Sequence, residues 1–228
     1  NPHQAMVWST DFVLQHRNVG SVALSPDGQQ VAYTVNEALM DDETSEYRTH
    51  VWVGAADGSW NRQYTRGDES AGSPRWSPDG KWIAFTTSRS GESQIWAIPV
   101  DGGEAVQLTD TETGVGGFQW SPDGKRLAFT SRDEKSEEQE KREKSKRDVI
   151  VVDTDFRYSH LYVANVDPSG HDRNAQQITA GDFHISDFDW SPDGSHIAFT
   201  HASDTRINSS ITDRKSTRLN SSHLVISY

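Results

Sequence analysis

The chain contains no cysteine in its 228 residues. That excludes disulfide staples and thiolate chemistry, and it leaves His and carboxylates as the strong metal ligands. Basic residues are scarce, 22 Lys and Arg against 34 Asp and Glu, for a formal net charge of -12. Such a balance speaks against nucleic-acid or anionic-membrane partners, because phosphate binding rests on clustered Lys and Arg. The acidity is read as a solubility device. No apolar run approaches the ~20 residues needed to cross a bilayer, and the first residues lack the charged start and apolar middle of a secretory signal. The sequence opens Asn1-Pro2-His3 rather than with Met, which leaves room for a lost leader. A soluble protein of cytoplasm or periplasm is expected, without a choice between the two.

Chemical motifs are missing as well. There is no Gly-x-Ser-x-Gly nucleophile elbow, no His-Glu-x-x-His and no Gly-rich phosphate loop. The nearest fragment, Gly91-Glu92-Ser93, lacks the second Gly. Asp187/Asp189 and Asp153/Asp155 are spaced two apart, which on a strand places them on one face, yet in an acidic chain such pairs read as solvated edges. The nine His are scattered: His196 sits near a turn, and His50 and His160 begin equivalent strands. No catalytic, cofactor-binding or metal-binding residue is assigned.

What the chain has is repetition. LSPDGQQVAYT begins at Leu24, WSPDGKWIAFT at Trp76, WSPDGKRLAFT at Trp120 and WSPDGSHIAFT at Trp190. A second module follows the first three copies, from His50, Gln94 and His160, and a third closes each unit at Thr65, Thr109 and Thr179. From each closing Thr to the next motif Trp the distance is eleven residues: Thr65 to Trp76, Thr109 to Trp120, Thr179 to Trp190. A constant distance implies a fixed connector. Periods of this size belong to repeat architectures, propellers among them.

Each unit resolves into four short strands, in the second about 73–77, 81–87, 94–100 and 105–109, rich in aromatic and β-branched residues and bounded by turn signals. Ser-Pro-Asp-Gly is turn chemistry: Pro presets φ and Gly supplies the left-handed position. No ligand is needed to explain it. The expected fold is all-β, a partial β-propeller of four-stranded blades, about three and a half of them. A β-sandwich is the alternative, but it leaves the constant connectors unexplained. Boundaries are a lead-in at 1–18, blades at about 19–65, 73–109, 117–179 and 187–212, and a tail at 213–228.

Only the loop between the second and third strands varies much. From motif Ser to third-strand aromatic it spans 27 residues (Ser25 to Trp52), 19 (Ser77 to Trp96) and 41 (Ser121 to Tyr162). Strand alternation puts that loop on the same end as the inter-blade connectors, opposite the Ser-Pro-Asp-Gly turns. The longest insertion opens with Arg132 to Asp148, seven acids and seven bases, with Glu137/Lys141, Glu138/Arg142, Glu140/Lys144 and Glu143/Arg147 four apart. A short charged helix is expected there, each pair adding ~0.2–0.5 kcal/mol. Val149-Ile150-Val151-Val152 then reads as an extra strand or a return to the blade.

The tail from Asp213 to Tyr228 resembles a translated sequencing-library adapter, with fourteen of its sixteen residues fitting one artificial reading frame. It is read as non-native. It holds one acid, Asp213, and three bases, Arg214, Lys215 and Arg218, so 19 basic and 33 acidic residues remain without it, a net of -14.

The W-S-P-D-G-K-x-I-A-F-T repeat resembles the propeller repeat shared by TolB and the prolyl oligopeptidase family of serine peptidases. Ser21 to Thr34 and Asp148 to Val166 (DVIVVDTDFRYSHLYVANV) are most similar to the acylaminoacyl and dipeptidyl peptidase branch. The resemblance covers nearly all of residues 10–212. It implies a propeller that limits substrate entry to a C-terminal α/β-hydrolase domain bearing a Ser, Asp and His triad. No triad position maps onto this chain. The first expectation is therefore a non-catalytic propeller of a peptidase acting on peptides; the second is a TolB-like scaffold that binds proteins. The loops 36–47 and 131–158 and the connectors 66–74, 110–118 and 180–188 form the end expected to meet a partner domain.

Overall fold

The computed structural model describes residues 17–40, 45–144, 157–202 and 222–227. Within them lie four antiparallel sheets, each a meander in which neighbours in sequence are neighbours in space. The first sheet holds β1 (Asn18–Leu24), β2 (Gln30–Met40), β3 (Ser45–Ala55) and β4 (Asn61–Gln63). The second holds β5 (Ala71–Trp76), β6 (Trp82–Thr87), β7 (Gln94–Pro99) and β8 (Val106–Gln107). The third holds β9 (Phe118–Trp120), β10 (Arg126–Arg132), β11 (Ser159–Asn165) and β12 (Ala175–Gln177). The fourth has three strands, β13 (His184–Trp190), β14 (His196–Ala202) and β15 (Ser222–Ser227). Each sheet has the strand order of a propeller blade, and the fold is the all-β partial propeller read from the repeat.

The motif explains the turns atom by atom. In each copy the Ser hydroxyl donates to the Asp carboxylate two residues on, at 2.6 Å for Ser25, Ser77 and Ser121 and 2.5 Å for Ser191. The same hydroxyl accepts the N–H five residues later at 2.9 Å in all four turns. The Asp also accepts an N–H two residues ahead, as Asp79 does from Lys81 at 3.1 Å. The closing Gly is left-handed, with φ of 72° at Gly28 and 70° at Gly80, a region costly for residues with a Cβ. Direct bonding by Ser holds each Asp carboxyl below its usual range.

The closing module is a latch. The hydroxyl of Thr65 accepts the Val51 N–H at 2.8 Å, Thr109 that of Ile95 at 2.9 Å and Thr179 that of Leu161 at 2.9 Å. The Gln two residues earlier donates Nε2 to the Thr carbonyl: Gln63 at 3.0 Å, Gln107 at 2.8 Å and Gln177 at 2.9 Å. Thus Gln-x-Thr ties the fourth strand to the third where the ladder runs out of partners.

The chain divides into two compact units, Asn1–Gly91 with Trp96–Ala105, and Glu92–Ile95 with Val106–Tyr228. In the first unit one core gathers Trp76, Ile83 and Phe85 of the second blade with Ala32, Val51 and Val53 of the first. The Trp76 indole donates to the Ala23 carbonyl at 3.0 Å. In the second unit a like core gathers Phe188, Trp190, Ile197 and Phe199 of the fourth blade with Ala128, Leu161 and Val163 of the third. Arg126 there donates to the Gly194 carbonyl at 2.8 Å and lies 5.0 Å over the Trp190 ring. In both cores the later blade supplies the Trp and Phe rings and the earlier blade contributes aliphatic side chains. Burying one such Phe or Ile stabilises by ~1.5–3 kcal/mol.

Two expectations need correction. Residues 36–40 and 45–47 are strand rather than loop: β2 and β3 run on as a ladder out to the Met40↔Ser45 pair, each added pair satisfying backbone N–H and C=O groups across the hairpin. Ser222–Ser227, assigned from the sequence to a tail outside the blades, pairs with β14 from His196↔Ser227 to His201↔Ser222. An unpaired strand edge accepts an extended segment of any source, so this pairing carries no information on the origin of the segment.

The charged insertion contains α1 (Glu137–Lys144). Ser136 caps it: its hydroxyl accepts the Gln139 N–H at 3.2 Å, and Gln139 Oε1 accepts the Ser136 N–H at 2.8 Å, a capping box. Lys141 pairs with Glu137 at 3.3 Å and Lys144 with Glu140 at 3.2 Å. The expected partners Arg142, Glu143 and Arg147, the Val149–Val152 strand and the Asp153/Asp155 pair lie outside the described side chains.

Candidate functional site

Connector and loop ends meet within each unit. In the first, Arg48 donates to Asp68 at 2.8 Å and the Thr49 N–H to the Ser70 hydroxyl at 3.1 Å. In the second, the Gly116 N–H bonds the Thr130 carbonyl at 2.7 Å, and the Ser131 hydroxyl donates to the Gly114 carbonyl at 2.6 Å and lies 2.9 Å from the Thr113 hydroxyl. The connector at 110–118, the start of the 131–158 loop and His184 of the 180–188 connector therefore come together, as strand alternation requires.

Here the second unit opens into a cleft of about 850 Å³. Four carboxylates reach its wall, Asp110, Glu112, Asp133 and Glu134, with Arg132 and Arg173 as the opposing charges. A smaller hollow of about 420 Å³, which includes Glu92, Ser93 and His184, shares Thr113, Ser131 and Arg132 with it. Partial burial, with Asp133 and Glu134 nearby, raises the Tyr162 phenol above its usual value. Gly170, His171, Arg173, Asn174, Ala175 and Gln177 also line the cleft. The cleft thus runs along the edge strand β12.

The neck of the insertion is pinned by Asp133. Its carboxylate accepts the Tyr158 N–H at 3.0 Å and lies 3.4 Å from Nε2 of buried His160, while its carbonyl accepts Arg157 Nε at 2.7 Å. His160 occupies the place of Gln94, whose Oε1 accepts the Thr109 hydroxyl at 2.9 Å. The repeated position of these residues was the legible signal; the Asp133 partnership, set by a loop of variable length, was not. Next to it, Nδ1 of His184 accepts the Ser159 N–H at 3.0 Å. Burial, helped by Arg132 and His160, lowers the His184 pKa.

Two Ser, His and Asp groupings occur, and neither is a nucleophilic site. The Ser169 hydroxyl donates to Asp167 at 2.5 Å with His171 Nδ1 2.9 Å away, and the Ser195 hydroxyl donates to Asp193 at 2.7 Å with His196 Nδ1 at 2.6 Å. In a working triad the base takes the Ser proton and the carboxylate orients the base. Here the carboxylate holds the Ser directly and is itself tied by backbone N–H groups of a turn. Asp187 and Asp189 are exposed on β13, with Asp187 accepting the Phe188 N–H at 2.9 Å. Among the described residues, no group of three or more His, Asp or Glu could hold a metal ion, and no helix is long and apolar enough to cross a membrane.

The family model of the TolB beta propeller domain matches residues 12–160. Dipeptidyl-peptidase 5 of Porphyromonas endodontalis is 35% identical over 91 residues, covering 40% of this chain and 13% of that protein. An uncharacterized peptidase of Bacillus subtilis, YuxL, is 30% identical over 69 residues, covering 30% of this chain and 10% of that one. Acylaminoacyl peptidase from Pyrococcus horikoshii superposes with a TM-score of 0.62 at 19% identity, over 86% of this chain and 29% of its own. A puromycin-hydrolyzing peptidase of Mycobacterium tuberculosis gives 0.55 at 14% identity, over 82% and 28%. At these identities the structural likeness concerns the fold alone. The chain spans less than a third of each of these proteins.

Proposed function

Because the chain belongs to the TolB beta propeller family, we propose that it works as the propeller of a prolyl oligopeptidase-type serine peptidase, gating and positioning peptides for a C-terminal α/β-hydrolase domain. The observation that carries this reading is the 35% identity to a dipeptidyl-peptidase. Two features of the chain support it. It has no nucleophile elbow of its own, and in its second unit the 110–118 connector and the start of the third-blade insertion border a polar cleft, as a sieve in front of a separate active site requires. In this role the four carboxylates of the cleft attract the amino end of a peptide and the long third-blade insertion restricts its size.

The test is the gene downstream of Thr212 and the protein it specifies. A Gly-x-Ser-x-Gly elbow there, hydrolysis of dipeptidyl or acylaminoacyl chromogenic substrates, and loss of that hydrolysis when the elbow Ser becomes Ala are the expected results. Shortening the 135–156 insertion then admits longer peptides. A stop codon after the last blade, or a full-length protein without hydrolase activity, rejects the peptidase reading. The TolB-like scaffold is then the reading that the family match favours.

A further inference from the structure

The third-blade insertion leaves the blade through a neck at Asp133 and Tyr158. The Asp133 N–H donates to the Tyr158 carbonyl at 2.8 Å, and the Tyr158 N–H donates back to the Asp133 carboxylate at 3.0 Å. One residue on, the Ser159 N–H donates to Nδ1 of His184 at 3.0 Å. That bond joins β11 of the third blade to β13 of the fourth. The Tyr158 and His184 rings are 5.3 Å apart, so the imidazole packs against the neck as well. The first and second blades are joined at the same place in the repeat, where the Thr49 N–H donates to the Ser70 hydroxyl at 3.1 Å. Ser70 and His184 each stand six residues before a motif Trp, Trp76 and Trp190.

The two acceptors differ in one respect. A hydroxyl accepts at every ordinary pH, whereas an imidazole nitrogen stops accepting once it takes a proton. A backbone amide can only donate, so Nδ1 of His184 is bare and the ring is the neutral Nε2–H tautomer. A second proton turns Nδ1 into a donor that faces a donor. Burial opposes that proton most, followed by Arg132 at the end of β10 and His160 on β11, against the pull of Asp133. Tyr158 and Glu92 are the other titratable groups beside it, Glu92 on the wall of the same hollow. Along its own segment Asp182 and Asp187 are exposed. We infer that the junction of the third and fourth blades is a proton-operated clasp: acid withdraws the acceptor from the Ser159 N–H, and the neck of the insertion parts from the fourth blade. Because the folded imidazole sits below its ordinary value of 6.5, the clasp is fully made above that pH and opens as pH falls through the lowered value. The inference does not rest on the peptidase reading.

Amide exchange of the 228-residue chain, followed residue by residue by NMR and expressed as protection factors from about pH 7.5 to about pH 5, tests it. The Ser159 amide is expected to lose protection about threefold or more over that range. Thr49, bonded to Ser70, is the control and keeps its protection. His184→Asn puts a non-titrating Oδ1 in the place of Nδ1, so the Ser159 response becomes flat. His160→Gln, which installs the residue that the second blade carries there as Gln94, leaves the response intact. Ring nitrogen shifts read the tautomer independently of exchange, with Nδ1 of His184 bare at neutral pH. A Ser159 amide as indifferent to pH as Thr49 overturns the inference. So does a response that survives in His184→Asn or vanishes in His160→Gln, or a proton found on Nδ1 at neutral pH.

Discussion

Replacing Thr109 by Val tests the latch that closes the second blade. Thr109 is 0% exposed, its hydroxyl accepts the Ile95 N–H at 2.9 Å and donates to Gln94 Oε1 at 2.9 Å. Val fills nearly the same space without either function. The Ile95 N–H is then buried without a partner, which costs ~1–3 kcal/mol, and the lost bond to Gln94 adds about 0.5–1.5 kcal/mol. Gln94 Oε1 keeps the Thr111 N–H at 3.1 Å, so the sum stays near the middle, about 2–4 kcal/mol. Thr86→Val is the control: its half-buried hydroxyl only reaches the Gly72 carbonyl at 3.4 Å, and its loss costs under about 0.5 kcal/mol. Urea unfolding followed by Trp fluorescence reads both as midpoint shifts at unchanged slope. If Thr109→Val costs no more than the control, the latch does not hold the blade.

Three other outcomes follow from the same geometry. Asp27, Asp79, Asp123 and Asp193 have folded pKa values lowered chiefly by their Ser partners, so their contribution is present above the unfolded carboxylate value of ~4 and is lost as pH falls through the lowered folded values. Urea midpoints therefore decline below about pH 4, and Asp79→Asn makes that decline shallower; a variant as acid-sensitive as the parent refutes the assignment. Phe85→Ala, at a fully buried position, lowers stability by about 3–5 kcal/mol in thermal melts, and a loss below about 1 kcal/mol contradicts the packing of that core. Gly80→Ala, at φ 70°, costs about 1–2 kcal/mol, whereas Gly117→Ala, with no left-handed φ and open space around its Cβ position, leaves the melting midpoint nearly unchanged.

The blades were legible because every determinant is local and repeated. Ser77, Asp79, Gly80 and the Trp82 N–H lie within six residues, and the same arrangement occurs four times, so turn chemistry and strand period agree. The extension of β2 and β3 to Met40 and Ser45 was missed because Glu37, Arg48 and their neighbours are polar on both faces, which erases the alternation that marks a half-buried strand. The loop ends that meet around Ser131 were foreseen from strand direction alone. The Asp133 and His160 pair was not, since it joins residues 27 apart across an insertion without a counterpart in the other blades. Nor does spacing reveal that the Gly170 hairpin reaches the same cleft, a matter of how far a blade edge stands open.

Each of the first three meanders is completed by one contiguous stretch of chain, stapled at one end by a Ser hydroxyl and along its edge by a Thr hydroxyl. A nascent polypeptide can therefore finish a sheet before the residues of the next have left the ribosome, so the chain is laid down vectorially, N-terminus first. The order of synthesis then becomes the order of docking, and each new slab of strands arrives to find a prepared surface waiting.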